Sequence, residues 1–205
     1  RGQELVAAWI EQNTRWREIS WRADVVGERN TNWLIYAPLI LDTEDLTYRR
    51  RVLDMIARQA RYLMNISTNA WVIPNNLKAI IGLILSGLFV PGGEGWLKEG
   101  CSLLKVAVEK EVFIDSSLRS EAPQKLLQLY LSFVLLGEAF KQAGREEPEE
   151  VLGAILRIEI NLKNIIHGDG KLALFNGAGI QGGKDIRLAL LKISQKSNKL
   201  ERPEQ

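Results

Sequence analysis

The chain has 205 residues, of which 46% are apolar and 25% charged, so its composition is that of a folded globular protein with one ordinary domain. Its 27 basic and 25 acidic residues nearly cancel, and a net charge of +2 does not indicate nucleic-acid binding. The single cysteine, Cys101, excludes an internal disulfide, and the single histidine, His167, excludes a zinc site built from several His and Cys ligands.

The N-terminal segment predicts short helices separated by tryptophan-rich and polar stretches. A short helix is expected over residues 3–11, and the stretch that follows it ends in a polar break at residues 27–30. Residues 32–41 predict a short apolar helix, and Pro38 should kink this helix or shift its start.

The next helix has a clear amphipathic pattern. Thr43 is expected to cap it, with two acidic residues in its first turn, and it should end near residues 65–68. Its apolar residues recur at steps of three and four and therefore share one face: Leu53, Ile56, Ala60 and Leu63.

Four more helices are predicted in the middle of the chain. They cover residues 74–90, 96–112, 123–144 and 148–166, with a loop at 114–120. The third should begin near Pro123 and end with Gly144 as its C′ residue. The apolar run in the first is shorter than the roughly 20 residues that a membrane span needs, so we expect a buried helix and no membrane span.

The character of the sequence changes after Ile166. We expect a turn at 167–170, one short extended segment at 171–175, a glycine-rich loop at 176–183, a last helix at 186–193 and a polar tail. The glycine-rich loop lacks the Gly-Lys-Ser/Thr ending of a phosphate-binding loop, so nucleotide binding is not expected. The domain should span residues 1–195, and 196–205 should be a polar tail or the start of a linker.

The main body is thus three successive helix pairs joined by short loops, which predicts an all-α fold. Stacked antiparallel helix pairs form an open bundle, a solenoid or a closed toroid, and periodicity does not choose among these three. Because the chain starts at Arg1, we expect a processed product or a fragment of a longer protein.

Tryptophan is unusually frequent near the start of the chain. Four of the six tryptophans fall within the first 33 residues: Trp9, Trp16, Trp21 and Trp33. Packing of the N-terminal arm on the helices is the favoured interpretation, because aromatic rings bury large areas. The alternative is a set of exposed rings that stack on the apolar faces of sugars.

Five arginines give the helix after Thr43 a basic surface: Arg49, Arg50, Arg51, Arg58 and Arg61. Such a surface is usually only a solvated face. The alternative is a groove for an acidic polymer, because a guanidinium group binds carboxylate or sulfate through two parallel hydrogen bonds.

The most distinctive segment covers residues 167–176. Its glycines let the chain turn sharply and bring His167, Asp169 and Asn176 together. A lone histidine is more often structural than catalytic, so both roles stay open at this point.

The stretch His-Gly-Asp-Gly-Lys-Leu-Ala-Leu-Phe-Asn-Gly at positions 167–177 resembles the end of the helical domain of heparinase II/III-like proteins. Earlier pieces resemble that family in the same order: Arg29 with Asn32-Trp33-Leu34, the arginine-rich residues 50–61, and the apolar residues 77–88. The resemblance covers roughly residues 10–190.

This resemblance implies an incomplete (α/α) toroid that a C-terminal β-sandwich follows in the longer protein. It implies a bacterial polysaccharide lyase whose partner is an acidic, uronic-acid-containing polysaccharide held in the cleft between the two domains. A base removes the C5 proton and an acid protonates the leaving oxygen in such a β-elimination. No cofactor or metal is implied, and no nucleic acid. The isolated chain should be inactive without the β-sandwich, and its compartment should be the periplasm or the cytoplasm.

Departures from the family pattern leave catalysis open. Lys125 stands at the position of the family's catalytic tyrosine, and positions that often hold histidine hold Val72, Leu118 and Leu126. The resemblance makes Lys125 and His167 the catalytic candidates. The candidates for substrate binding are Trp33, Trp71, Asn75, Asn76, Arg119, Asp169 and Asn176. The alternative function is a catalytically inactive helical scaffold that binds a glycan or another protein.

Overall fold

The computed structural model describes residues 1–67, 76–109 and 123–165, and all regular structure in these ranges is α-helical. The helices are α1 Gly2–Gln12, α2 Ala23–Ile35, α3 Ala37–Ile40, α4 Leu46–Ser67, α5 Leu77–Phe89, α6 Glu94–Val108, α7 Pro123–Gln142 and α8 Glu149–Ile165. The predicted all-α class is therefore confirmed. The loop expected at 114–120 and every element expected after Ile166, the short extended segment included, lie outside the described residues.

The chain forms two compact units. The first comprises Arg1–Ala107 with Ala139–Arg145, and the second comprises Val108–Glu138 with Glu146–Gln205. Helices α1 to α5 all belong to the first unit, which contains every contact described below between α1, α2, α4 and α5.

The predicted polar break at residues 27–30 is wrong, because α2 runs through it without interruption. Gly27 lies in the contact between α2 and α5, where an added Cβ would collide with the backbone of Lys78 and Ala79. A Cβ on Gly82 would lie 2.5 Å from the Cα atom of Gly27. These glycines therefore permit a close approach of two helices, and they do not mark a turn.

Asn30, in the same stretch, is fully buried and joins three helices. Its Nδ2 donates to Ser86 Oγ on α5 at 3.0 Å and to the carbonyl oxygen of Ile56 on α4 at 3.3 Å. The hydroxyl of Ser86 in turn donates to the carbonyl of Gly82 at 2.6 Å. A residue of the predicted polar break is thus part of the core, where its amide donor is satisfied.

Helices α2 and α5 run in the same direction. The contact of α2 with α5 moves from Gly82 to Ser86 as the chain advances from Gly27 to Asn30. Helix α4 runs the opposite way beside α2, because its contacts move toward its N-terminus along three pairs: Trp21 with Tyr62, Arg29 with Gln59, and Asn30 with Ile56. The core of the first unit therefore contains two parallel helices, α2 and α5. Helix α4, which lies between them in the sequence, runs in the opposite direction.

The apolar helix expected over residues 32–41 is wrong in its bounds. Helix α2 ends at Ile35, and Pro38 lies in the first turn of the separate short helix α3. Proline fits there because the first residues of a helix have no intrahelical acceptor for their N–H groups. The side chain of Gln3 in α1 donates to the carbonyl of Asp42 at 2.7 Å and so joins α1 to the end of this connection.

Asp45 caps α4, and the prediction of Thr43 as its cap is wrong. The Oδ1 atom of Asp45 accepts from the backbone N–H of Tyr48, in the first turn of the helix, at 3.0 Å. The Thr43 hydroxyl accepts from the backbone N–H of Asp45 at 3.3 Å, before the helix begins. The helix ends at Ser67, as predicted. Its buried apolar face contains Val52, Met55, Ile56, Ala60 and Leu63. Leu53 is 40% exposed, because it lies at the edge of this face and not within it.

Helix α5 begins at Leu77 and not at Pro74, because the Asn76 side chain caps it by accepting from the Ala79 N–H at 3.1 Å. The continuous run Ala79–Ser86 is buried, which confirms the predicted buried helix. Helix α6 packs closely on it, since a Cβ on Gly100 would lie 2.6 Å from Cγ1 of Ile84. Of the helices in the described ranges, none combines the length and the apolar character that a membrane crossing requires.

The two predicted helices after Pro123 are confirmed as α7 and α8. Gly144 has φ +63°, the left-handed conformation expected of a C′ glycine. The buried residues of α7 include Leu126, Tyr130, Phe133 and Leu136, and those of α8 include Val151, Ile155, Ile158 and Leu162.

Candidate functional site

Trp33, predicted to bind substrate, lies in an aromatic cluster of the first unit and is only 9% exposed. Its ring meets that of Trp9 edge to face, with 5.4 Å between the centroids. The guanidinium carbon of Arg29 lies 3.9 Å from the centroid of Trp9, within range of a cation–π interaction. These contacts pack α1 against α2. For Trp33 they agree with the favoured interpretation of the N-terminal tryptophans, which is packing against the helices.

Arg29 holds the connection between α1 and α2 in place. Its Nη1 donates to Gln59 Oε1 on α4 at 2.9 Å, and its Nη2 donates to the carbonyl oxygen of Ser20. Burial lowers the pKa of Arg29 to about 10, so the guanidinium stays protonated at neutral pH. One charged side chain thus ties Ser20 to both α2 and α4.

A second aromatic cluster fixes the end of this connection. Trp21 is 3% exposed, and its ring meets Tyr62 of α4 edge to face with 5.3 Å between the centroids. The guanidinium carbon of Arg58 lies 5.5 Å from the centroid of Trp21. Trp21 therefore anchors the α1–α2 connection on the side of α4 that carries Arg58.

The same connection exposes two large apolar side chains. Trp16 is 61% exposed and Ile19 is 78% exposed. A turn over residues 17–21 leads from them to the anchored Trp21, because the backbone N–H of Trp21 donates to the Arg17 carbonyl at 2.9 Å. The connection therefore buries Trp21 and leaves Trp16 and Ile19 in contact with solvent.

Two arginines, Arg15 and Arg17, lie on this connection, and two more, Arg58 and Arg61, lie on α4, where Arg58 lies over the ring of Trp21. No carboxylate among the described residues lies within ion-pair distance of Arg15, Arg17, Arg58 or Arg61. Other arginines have acidic partners: Arg22 with Asp24 at 2.6 Å, Arg51 with Glu11 at 3.4 Å and Arg50 with Asp54 at 3.9 Å. We call the first set, taken with the apolar pair, the arginine–tryptophan surface: Arg15, Trp16, Arg17, Ile19, Arg58 and Arg61.

Two of the other predicted site residues also lie in the described ranges. Asn76 caps α5 in the first unit, and Lys125 is exposed in the first turn of α7, in the second unit. Six more lie outside the described residues and stay predictions: Trp71, Asn75, Arg119, His167, Asp169 and Asn176. In the ranges that the structure covers, no group of three or more His, Cys, Asp or Glu side chains could hold a metal ion.

Sequence reasoning missed the arginine–tryptophan surface. It assigned the basic surface to α4 alone and considered the tryptophans separately. The signal that could have found it is the run Arg15-Trp16-Arg17, in which an aromatic residue lies between two cations. What the sequence does not show is that Trp21 turns inward whereas Trp16 stays exposed.

The chain is 28% identical, over 194 residues, to FtsZ-localized protein C of Caulobacter vibrioides. The match covers 93% of this chain and 33% of that protein, so the chain spans about a third of the length of its curated relative. No family model and no solved structure matches the chain.

This comparison overturns the heparinase II/III-like resemblance and the polysaccharide lyase inferred from it. The relative is named for its location with FtsZ, and no family model of a lyase matches the chain. The matched pieces were an apolar helix, an arginine-rich helix and a glycine turn, which many helical proteins contain. The acidic polysaccharide, the β-sandwich partner and the compartment stay untested predictions.

Proposed function

We propose that the chain is a helical protein-interaction domain of a bacterial cell-division protein that localises with FtsZ. The observation that carries this proposal is the similarity to FtsZ-localized protein C, which extends over 93% of the chain. Because the match covers a third of the relative, the activity and partners of the whole protein are proposals too.

The arginine–tryptophan surface supports an interaction role. Trp and Arg are the residue types most enriched among the side chains that dominate binding energy at protein interfaces. Here both types stand on a connection that Trp21 and Arg29 fix to α4. A surface held in one conformation loses little entropy when a partner binds, which favours affinity.

The arrangement of α2, α4 and α5 supports a finer proposal for the fold, an incomplete (α/α) toroid. In such a toroid the neighbouring inner helices are parallel, and each connects to the next through an outer helix that runs the opposite way. The α2–α4–α5 contacts have this pattern. A crystal structure of the chain would test it, and consecutive antiparallel hairpins without parallel inner neighbours would contradict it.

Two-colour imaging of dividing bacteria tests the proposed function. The chain is expressed as a fluorescent fusion in cells that carry a differently labelled FtsZ. We expect the two signals to coincide through the division cycle, whereas the fluorescent protein without the chain should be uniform. A uniform signal from an intact, folded fusion would contradict the proposal.

A further inference from the structure

The α1–α2 connection presents its exposed side chains from a fixed base. Arg29 links the carbonyl of Ser20 to Gln59 on α4, and Trp21 packs against Tyr62 of the same helix. The backbone N–H of Trp21 also donates to the carbonyl of Arg17, and this hydrogen bond closes a turn within the connection. Exposed side chains on an ordered support are suited to a specific contact, because little of the support must be ordered on binding.

The exposed side chains of this surface combine one apolar centre with cations. Trp16 and Ile19 supply the apolar centre, and both are more than half exposed. The four arginines of this surface have no acidic partner among the described residues, in contrast to Arg22, Arg50 and Arg51. This composition matches a ligand that carries carboxylates beside an apolar group. The carboxylates would pair with the arginines, and the apolar group would cover the exposed side chains of Trp16 and Ile19.

We propose that the arginine–tryptophan surface binds an acidic peptide segment of a partner protein, with an apolar side chain of that segment seated against Trp16 and Ile19. The inference rests on the proposed function, because it specifies the kind of partner that an interaction domain of this type recognises. Arginine favours carboxylate ligands, because its planar donors match both oxygens of the group.

Two other anionic partners fit the surface less well. A glycan would find one flat aromatic face to stack on, that of Trp16, because the branched side chain of Ile19 offers none. An anionic lipid surface would meet the carboxylate of Glu18, which is exposed on the same turn between Arg17 and Ile19. A peptide can direct its carboxylates at the arginines and leave Glu18 in water.

Fluorescence anisotropy with the 205-residue chain tests the proposal. The probe is a fluorescein-labelled, glutamate-rich peptide with a central pair of leucines. We expect binding that the doubly substituted chain, Arg58→Gln with Arg61→Gln, weakens about tenfold, because two charge contacts at exposed sites are lost. Trp16→Ala should weaken binding about tenfold or more, because tryptophan anchors are among the side chains whose truncation weakens protein interfaces most.

Matched variants control for charge and for apolar area. Arg49→Gln removes an exposed arginine on the face of α4 opposite to Arg58, because nine residues at about 100° each amount to two and a half turns. Leu39→Ala removes an apolar side chain that is 71% exposed on α3. Both should leave peptide affinity unchanged, and thermal unfolding should show that all four variants stay folded.

Several results would overturn the proposal. They are no binding of the peptide, equal binding of a peptide with every glutamate replaced by glutamine, and equal loss of affinity in the control variants. Binding of heparin or of phosphatidylglycerol vesicles in place of the peptide would also overturn it. Because this titration uses no FtsZ, its failure leaves the imaging result untouched, and a failed co-localisation with intact peptide binding would reject the proposed function alone.

Discussion

Replacing Gly82 with alanine tests the contact on which the first unit is built. The added Cβ would lie 2.5 Å from both the Cα and the carbonyl oxygen of Gly27, and real Cβ contacts are normally beyond about 3.4 Å. Backbone atoms cannot rotate away as a side chain can. Helices α2 and α5 must therefore separate by roughly 1 Å, as expected for an overpacked core.

The size of the effect follows from three terms. Overpacking of this kind costs about 1–3 kcal/mol. Separation of the helices also strains the buried hydrogen bond from Asn30 to Ser86, and leaving such a donor unsatisfied costs about 1–3 kcal/mol. Alanine recovers about 1 kcal/mol through its higher helix propensity. We expect Gly82→Ala to lower the free energy of unfolding by about 3 kcal/mol.

Urea unfolding followed by circular dichroism measures this change. Gly95→Ala is the matched control, because Gly95 lies in α6 and an added Cβ would meet no atom within 4 Å. This control should be as stable as the unsubstituted chain, or more stable by up to about 1 kcal/mol. If Gly82→Ala were as stable as the control, α2 and α5 would not approach each other at this point, and the parallel arrangement would be wrong.

Two further substitutions test the cores of the two units. Trp33→Ala should cost about 3 kcal/mol in urea unfolding, because it removes a buried ring, whereas Trp16→Ala should cost little; equal effects would contradict the assigned burial. Burial and the charge of Glu159 raise the pKa of Tyr130 to about 12. Above pH 10 the unfolded chain loses this tyrosine proton first, so stability should fall between pH 10 and 12, by at most about 1.4 kcal/mol per pH unit. Tyr130→Phe should remove that part of the pH dependence, and an unchanged slope would contradict it.

Local patterns predicted the elements whose structure depends on local chemistry. The apolar steps Ile56, Ala60 and Leu63 placed one face of α4 correctly, and Gly144 was correctly expected as a C′ residue because a left-handed conformation favours glycine. These features follow from helical periodicity and from backbone sterics, which a single sequence shows.

Tertiary contacts decided the features that the sequence could not show. Gly27 and Asn30 have the composition of a turn, but in the fold they serve a close helix crossing and a buried hydrogen bond. Trp16 and Trp21 stand in similar local sequence, but Trp21 is buried against Tyr62 of α4 whereas Trp16 is exposed. The arginine–tryptophan surface could therefore not be predicted, since it depends on which side chains the core leaves exposed.

Depletion of FtsZ in cells that express the fluorescent chain tests the proposed localisation with FtsZ. We expect the localised signal to disperse as FtsZ is lost and to return when FtsZ is restored, with the amount of chain unchanged on an immunoblot. A localised signal that persists without FtsZ, or one that never forms in its presence, would refute the proposed localisation.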